Sequence, residues 1–525
     1  MNSKYDAIVI GSGIGGLATA TILTKVGKKK VLVIEQHWEL GGLTHEFKRK
    51  VKFSWDVGVH YVGKMEEGEM GGNIFNFITD KKLKWNALPY EFEKFIYPDF
   101  TFTVPSNEKE YTEKLCKQFP EETVAIKKYF KDMKKAGRWA QLKMMAELVP
   151  SFIGFFIRLW NQQSEKLALS TTKEYLDAHF KNPKLKALLV SQWGDYGLPP
   201  AKSAFLIHSI IATHYLEGAV YPEGGASTIA EAAKTIIESN GGKCLLSAEA
   251  TRLIVENNTV IGVEVQHKRG EKQVEIFEAP IVVSSTGALH SYSKLLKGFV
   301  PESYYKDLKT IPKGKSAVTL YVGLKNDPSE LGFKGENNWI YESYNHDEEA
   351  ANSENTLLKG NPKACYLSFP SLKNRSAKGH TAEIISFANF DSFVKWEKTK
   401  WKKRGEEYEA LKKVISEGLL NLVEKHYPGF KDLVEYMELS TPLTYIELSG
   451  RANGEFYGLS ATPERYKLKW LGAKTPLENF YLSGSDVMSL GIMGALMGGV
   501  ATAACILEPA GFPKIMRAVN AESKH

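Results

Sequence analysis

Three glycines and one acid carry the first chemical signal in this 525-residue chain: Gly11, Gly13 and Gly16, then Glu35. In GxGxxG the first glycine permits a tight turn, the second lets a phosphate approach the backbone, and the third lets a helix lie close to a strand. Amides at the start of that helix would face a pyrophosphate. Glu35 stands 19 residues past Gly16. A carboxylate there accepts hydrogen bonds from an adenosine ribose and repels a 2′-phosphate, which argues against NADP. A second set of residues could move protons. "WDVGVHYVG" offers Asp56, His60 and Tyr61, and "IHSIIATHY" adds His208, His214 and Tyr215. No Ser-His-Asp arrangement competes. The four cysteines (Cys116, Cys244, Cys365, Cys505) lack ligand spacing, so no metal is expected.

The elements that must hold these residues are legible as patterns. "DAIVIG" suits a buried parallel strand, Ile14, Leu17, Ala18 and Leu23 keep helical spacing, and "VLVIE" is a second strand ending in Glu35. Residues 221–265 read as helix, strand, turn and strand. Their helix runs from about Thr228 to Ser239, is ended by Gly241-Gly242, and precedes a hairpin at "ENNT". "APIVVSSTG", 279–287, is another buried strand ending in a loop at the ligand. In 479–507 a strand runs into Gly484, Ser485 and Asp486, and a helix follows with Gly491, Gly494 and Gly498 on one face. Asp486 reads as an acceptor for sugar hydroxyls or as that helix's N-cap.

A further glycine pair, Gly41-Gly42 in "ELGGLTHEF", follows the acid-bearing strand. With "WDVGVHYVGKM", "WGDYGLPP", "YPEGGAS", "PIVVSSTG" and "GSDVMSLGIMGALMGG" in order, most of the chain resembles the retinol saturase group of the phytoene desaturase and carotenoid isomerase superfamily. The similarity is weakest from about 330 to 430. It departs at Leu43-Thr44, where retinol saturases commonly have a Cys pair and desaturases an Arg.

The resemblance implies an α/β chain with a Rossmann-type FAD-binding domain and an inserted α+β substrate domain. Residues 1–61, 221–299 and 471–510 would form the first, and 62–220 and 300–470 the second. FAD would be held by Gly11, Gly13, Ile14, Gly15, Gly16, Glu35, Gln36, Gly41, Gly42, Leu43 and His60. Ala250, Thr286, Gly287, Gly484, Asp486, Ile492 and Met493 complete that set, with the Ala250 backbone beside the adenine.

The implied activity is reduction of a carbon–carbon double bond in a conjugated retinoid or carotenoid. Phytoene-type desaturation and flavin-dependent cis–trans isomerisation are the alternatives. The prenyl-binding GDP-dissociation inhibitors resemble this fold without flavin, but the intact Glu35, Gly41-Gly42 and Gly484–Asp486 features argue against that reading. Flavin carries the hydride and the protein supplies a proton, with His60, Tyr61 and Tyr215 as candidate donors. For the histidine, a plain hydrogen bond to cofactor or backbone is the competing role. No second complete nucleotide fingerprint identifies the electron donor or acceptor.

Bulk properties set the remaining expectations. A net charge of +7, from 68 basic and 61 acidic residues, gives no reason to expect nucleic-acid binding. "KWKKR" at 400–404 reads as a solvated helix face. No run reaches the roughly 18 apolar residues of a membrane span. "LVPSFIGFFIRLW", 148–160, interrupted by Pro150 and Arg158, is expected as a buried helix, an interfacial segment or a channel mouth. A polyene partitions into bilayers, so peripheral membrane contact there is the functional version. Among the aromatics Trp139, Phe152, Phe155, Phe156, Trp160, Trp193 and Tyr215, most are expected in the core and some along an apolar tunnel. The first apolar strand begins by residue 7 with no leader before it, so a reducing, cytoplasmic setting, or the inner face of a membrane, is expected.

Overall fold

The apolar run Ala7–Ile10 is buried throughout, and its neighbours explain this. In the computed structural model, which describes residues 4–149, 151–269 and 273–523, it is the central strand of a five-stranded parallel sheet. The order is Phe480–Leu482, Val282–Ser284, Ala7–Ile10, Val31–Ile34, Lys243–Leu245. Alternate side chains divide between two cores. Ala7, Val9, Val31 and Val33 join a helical layer made by Ile14–Lys25, Ser227–Ser239 and Gly491–Ile506. Ile8, Ile10, Leu32 and Ile34 pack against an antiparallel sheet of Ala248–Glu256, Thr259–His267 and Val274–Glu278. Cover on both faces is why these strands read as unbroken apolar runs.

The sequence predicts one strand between the 228–239 helix and the "ENNT" turn; the structure has two. The chain bends at Ser247, whose φ of +53° is left-handed. Lys243–Leu245 therefore completes the parallel sheet, and Ala248–Glu256 opens the antiparallel one.

A second, seven-stranded sheet runs in the order Val434–Ser440, Ser316–Leu324, His380–Ala388, Ala364–Ser368, Asn337–Tyr341, Glu91–Ile96, Thr101–Pro105. Its register stacks side chains in rows: Ser368 beside Glu383, then Trp339, Tyr366 and Ile385, then Tyr341 beside Ala364. Successive rows on one face lie roughly 7 Å apart. The helices Thr123–Leu148 and Phe205–His214 pack over a core that includes Trp139, Trp193 and Tyr215. The hairpin Glu46–Arg49 and Phe53–Asp56, expected with the dinucleotide unit, leans on the larger sheet. Trp55 Nε1 donates to Val322 O at 3.1 Å, and Phe53 and Trp55 share a small core with Tyr321.

Ser151–Ala168 is a helix, but not a buried one: Phe152, Phe155, Phe156, Leu159 and Trp160 are exposed. Pro150, read as an interruption of the 148–160 segment, lies outside the described residues. Among the described residues, no helix is long and apolar enough to cross a membrane.

Candidate active site

The glycine turn is built by close backbone approach. A Cβ on Gly16 would sit 2.2 Å from Gly11 O, and one on Gly15 would sit 2.4 Å from Gly484 Cα. Either side chain would drive the Ile14–Lys25 helix off the sheet. Gly13 differs: a Cβ there meets nothing within 4 Å, because this residue opens onto a cavity. The second pair folds onto the first. Gly41 N donates to Ser12 Oγ at 3.1 Å, and a Cβ on Gly42 would lie 3.0 Å from Gly13 Cα. Glu35 accepts from Ser12 N, Ser12 Oγ and His37 N at 2.9, 2.7 and 2.8 Å, which fixes its carboxylate at the strand end.

A cavity of about 1080 Å³ runs along these groups, lined by Gly11, Gly13, Glu35, Gln36, Gly42, Leu43, Ala250 and Thr286. It shares Gly13, Leu43, Val57, Ser285 and Arg451 with a second cavity of about 180 Å³. Ile14, Gly15, Gly41, His60, Gly287, Gly484 and Ile492 line this second space. Its other wall is the aromatic rows Trp339–Tyr366 and Tyr341–Phe387, with Trp193, Gly194 and Asp195. The residues present fit a dinucleotide whose far end reaches the aromatic cavity: among the lining glycines, Gly13 and Gly491 have open space where a side chain would stand, while Gly15 also packs the scaffold.

Five expected site residues stand elsewhere. Gly16 is consumed in helix–strand packing. Met493 turns away, its thioether reaching the position a Gly71 side chain would fill. Asp486 is neither a free acceptor nor an N-cap: its carboxylate accepts from Ala288 N (2.7 Å) and Leu459 N (2.9 Å), and the helix begins only at Gly491. It clamps two loops beside the cavity. Tyr61 and Tyr215 stack on one another, centroids 4.2 Å apart, in the buried layer behind the cavity wall.

His60 lines the cavity, but burial and the nearby Lys373 ammonium lower it to about 3. It is a neutral imidazole and no acid. Its Nδ1 lies 2.9 Å from Glu383 Oε2, within ion-pair range but not aligned as a hydrogen bond. Lys373 Nζ donates to His60 O, Asn337 Oδ1 and Ser368 Oγ at 2.9, 2.6 and 2.7 Å. Burial raises Glu383 to about 8 and lowers Lys373 to about 8. Asp56, also pushed up by burial, accepts from Tyr221 OH and donates its own N–H to Glu383 Oε1 at 2.8 Å. His208 and His214 are structural: His208 contacts Tyr129 and Tyr196, and His214 Nε2 accepts from Gly63 N.

A titratable carboxyl that the sequence motifs did not single out, Asp195, stands at the same cavity. It lines the aromatic cavity, and Tyr61 OH donates to its Oδ2 at 2.6 Å. Burial raises it to about 7, opposed by the Tyr61 hydrogen bond and by Lys373. Behind it Glu93, raised to about 8, accepts from Trp339 Nε1 (2.6 Å) and Asn337 Nδ2 (3.2 Å). "WGDYGLPP" contained the residue; Gly194 was the clue, since a Cβ there would strike the Trp339 ring at 2.5 Å. A second carboxyl, Glu349, raised to about 8, lines the cavity beside Tyr341 and Cys365. That places it toward the Tyr341 row, away from His60 and Glu383.

Comparison with known proteins agrees with this architecture. A family model described as an NAD(P)-binding Rossmann-like domain matches residues 9–79. The chain is 34% identical to an all-trans-retinol 13,14-reductase from Danio rerio over 96% of its own length and 86% of that protein's. It is 25% identical to a chloroplastic prolycopene isomerase 2 from an Oncidium hybrid cultivar, over 97% and 85% of the two chains. Wild-type putrescine oxidase bound to putrescine superposes with a TM-score of 0.63 at 15% identity, covering 96% of this chain and 99% of that one. At that identity the likeness speaks for the fold alone.

Proposed function

Since this chain belongs to the all-trans-retinol 13,14-reductase family, we propose that it holds FAD and reduces a carbon–carbon double bond of a retinoid or related polyene. One observation carries the reading: a dinucleotide-sized cavity opens through shared glycine and loop residues into an aromatic-walled cavity containing a carboxyl that titrates near neutrality.

Glu35 would hold the adenosine ribose, Ser12 and Gly13 the pyrophosphate turn, and Gly491 the open space at the inner end. When bound, the flavin supplies the electron pair and one hydrogen of the reduction. The chain supplies what remains. Trp339, Tyr366 and Ile385 bind and flatten a conjugated chain, and their apolar surface excludes water. Asp195 holds the second proton at its carboxyl, within the pH range where it is half-protonated. Tyr61 orients that carboxyl from behind the wall.

The test is anaerobic. Flavin on the full-length protein is reduced, all-trans-retinol is added, and absorbance is followed with chromatography of the product. Reoxidation of flavin together with a polyene band moved to shorter wavelength is the expected result. Untouched retinol would overturn the substrate assignment. A rearranged polyene with flavin still reduced would favour the isomerase reading that the prolycopene isomerase relative supports.

A further inference from the structure

The hairpin of helices Thr123–Leu148 and Ser151–Ala168 has two properties that the cavity chemistry does not use. First, its second helix is amphipathic in an unusual sense. Gly154, Asn161 and Ala168 face the first helix: a Gly154 Cβ would lie 2.4 Å from Ala146 O, and Asn161 Nδ2 donates to Trp139 O at 2.9 Å. The opposite face presents Phe152 (68% exposed), Phe156 (66%), Trp160 (60%), Phe155 (57%) and Leu159 (54%) to solvent. Five large apolar side chains on one face of one helix form a contiguous patch rather than scattered exposure.

Second, residues 123–168 contain nine basic and three acidic residues, a net +6 within a chain whose total is +7. Lys127, Lys131, Lys135 and Arg138 are exposed on the first helix, and among the described residues they form no ion pair. The contacts of Ala146 with Gly154 and Trp139 with Asn161 make the helices antiparallel. Continued by one or two turns, that pairing sets Arg138 and Lys135 level with the end of the aromatic band.

The geometry points to an anionic lipid bilayer as the partner of this hairpin. Aromatic and leucine side chains enter the acyl boundary while the lysines and arginine meet lipid phosphates, so the helix lies in the interface and does not cross it. A protein groove would match the apolar face equally well but gives no role to the concentration of nearly all the net charge in 46 residues. The docking surface stands without the retinoid reading; only its use in collecting a lipid-borne substrate rests on that reading.

The experiment is co-sedimentation of the full chain with phosphatidylcholine vesicles, with and without phosphatidylglycerol. Wild type should bind the anionic vesicles about tenfold or more tightly, with the preference falling at high salt. Phe155→Asp/Phe156→Asp should lose binding to both kinds of vesicle. Lys131→Glu/Lys135→Glu should lose only the preference for phosphatidylglycerol. All four side chains are exposed, so both variants should keep wild-type unfolding curves and wild-type turnover of substrate delivered in detergent. Absence of vesicle binding by wild type, or binding unchanged in the aspartate variant, would overturn the proposal. So would a wild-type dimer abolished by Phe155→Asp/Phe156→Asp without any vesicle binding. Failure of detergent turnover in wild type would strike the retinoid reading and leave the lipid result standing.

Discussion

Asp195 owes its raised pKa to burial in the turn between Trp193 and Tyr196, against the opposing pull of the Tyr61 hydroxyl that donates to it. In the proposed role of proton source it must be protonated, so kcat/KM should fall as pH rises through about 7. Asp195→Asn should slow the oxidative half-reaction, in which the polyene reoxidises reduced flavin, by about 10²–10⁴-fold and abolish that limb, read by stopped-flow reoxidation across pH. Glu349, raised to about 8 and lining the same cavity, remains in this variant, so a limb that persists in Asp195→Asn would assign the proton to Glu349 instead. Tyr61→Phe removes a hydrogen bond that holds the Asp195 value down, so the limb should move to higher pH with the flavin spectrum unchanged. Stability carries the same signature. A carboxyl raised from its unfolded value near 4 to about 7 contributes fully below about 4, and the contribution is lost as pH climbs to 7. Asp195→Asn should therefore flatten the denaturation midpoint over that range and be no less stable than wild type at pH 8.

At the scale of elements, the helix Gly491–Ile506 shows two uses of one residue type. A Cβ on Gly498 would lie 2.1 Å from Gly484 O, backbone that cannot move without the strand Phe480–Leu482. Gly498→Ala should cost about 1–3 kcal/mol in thermal or urea unfolding and weaken FAD retention. Gly491, at φ +75° with nothing near its Cβ, should give only about 1–2 kcal/mol of backbone strain on mutation to Ala. The glycine spacing exposed this helix in the sequence, as hydrophobic runs exposed four of the sheet's strands and Asn257-Asn258 the hairpin. What could not be read was pairing across distance. Glu93, Asp195, Lys373 and Glu383 come from segments remote in sequence, Lys373 standing 313 residues from His60 and Glu383 further still, and no local pattern marks a carboxyl whose neighbours arrive by folding. Asp486 was legible as an acceptor by type and position, but not the two backbone amides from other loops that its carboxylate holds. Of the three readings open for the 148–160 segment, the buried helix is the one the exposed face of Ser151–Ala168 removes, because apolar content alone does not say which face a neighbour covers.

The molecule as a whole is not divisible along its sequence. A chain ending at Ser239 keeps the full fingerprint matched at 9–79 but lacks Lys243–Leu245, Val282–Ser284 and Phe480–Leu482, three of the five parallel strands. Such a fragment should fail to bind FAD in equilibrium dialysis; affinity near that of the full chain would show that the fingerprint suffices. The same interleaving sets a schedule for biosynthesis. The glycine turn leaves the ribosome long before the strand and helix that close its far wall, Phe480–Leu482 and Gly491–Ile506. At ~5–20 residues per second, this separation is roughly half a minute to a minute and a half. For that whole interval the nascent chain carries half a nucleotide site. A cell that makes this protein must keep those apolar strands from aggregating without help from a ligand, because the nucleotide cleft has no complete wall until Gly491–Ile506 has emerged.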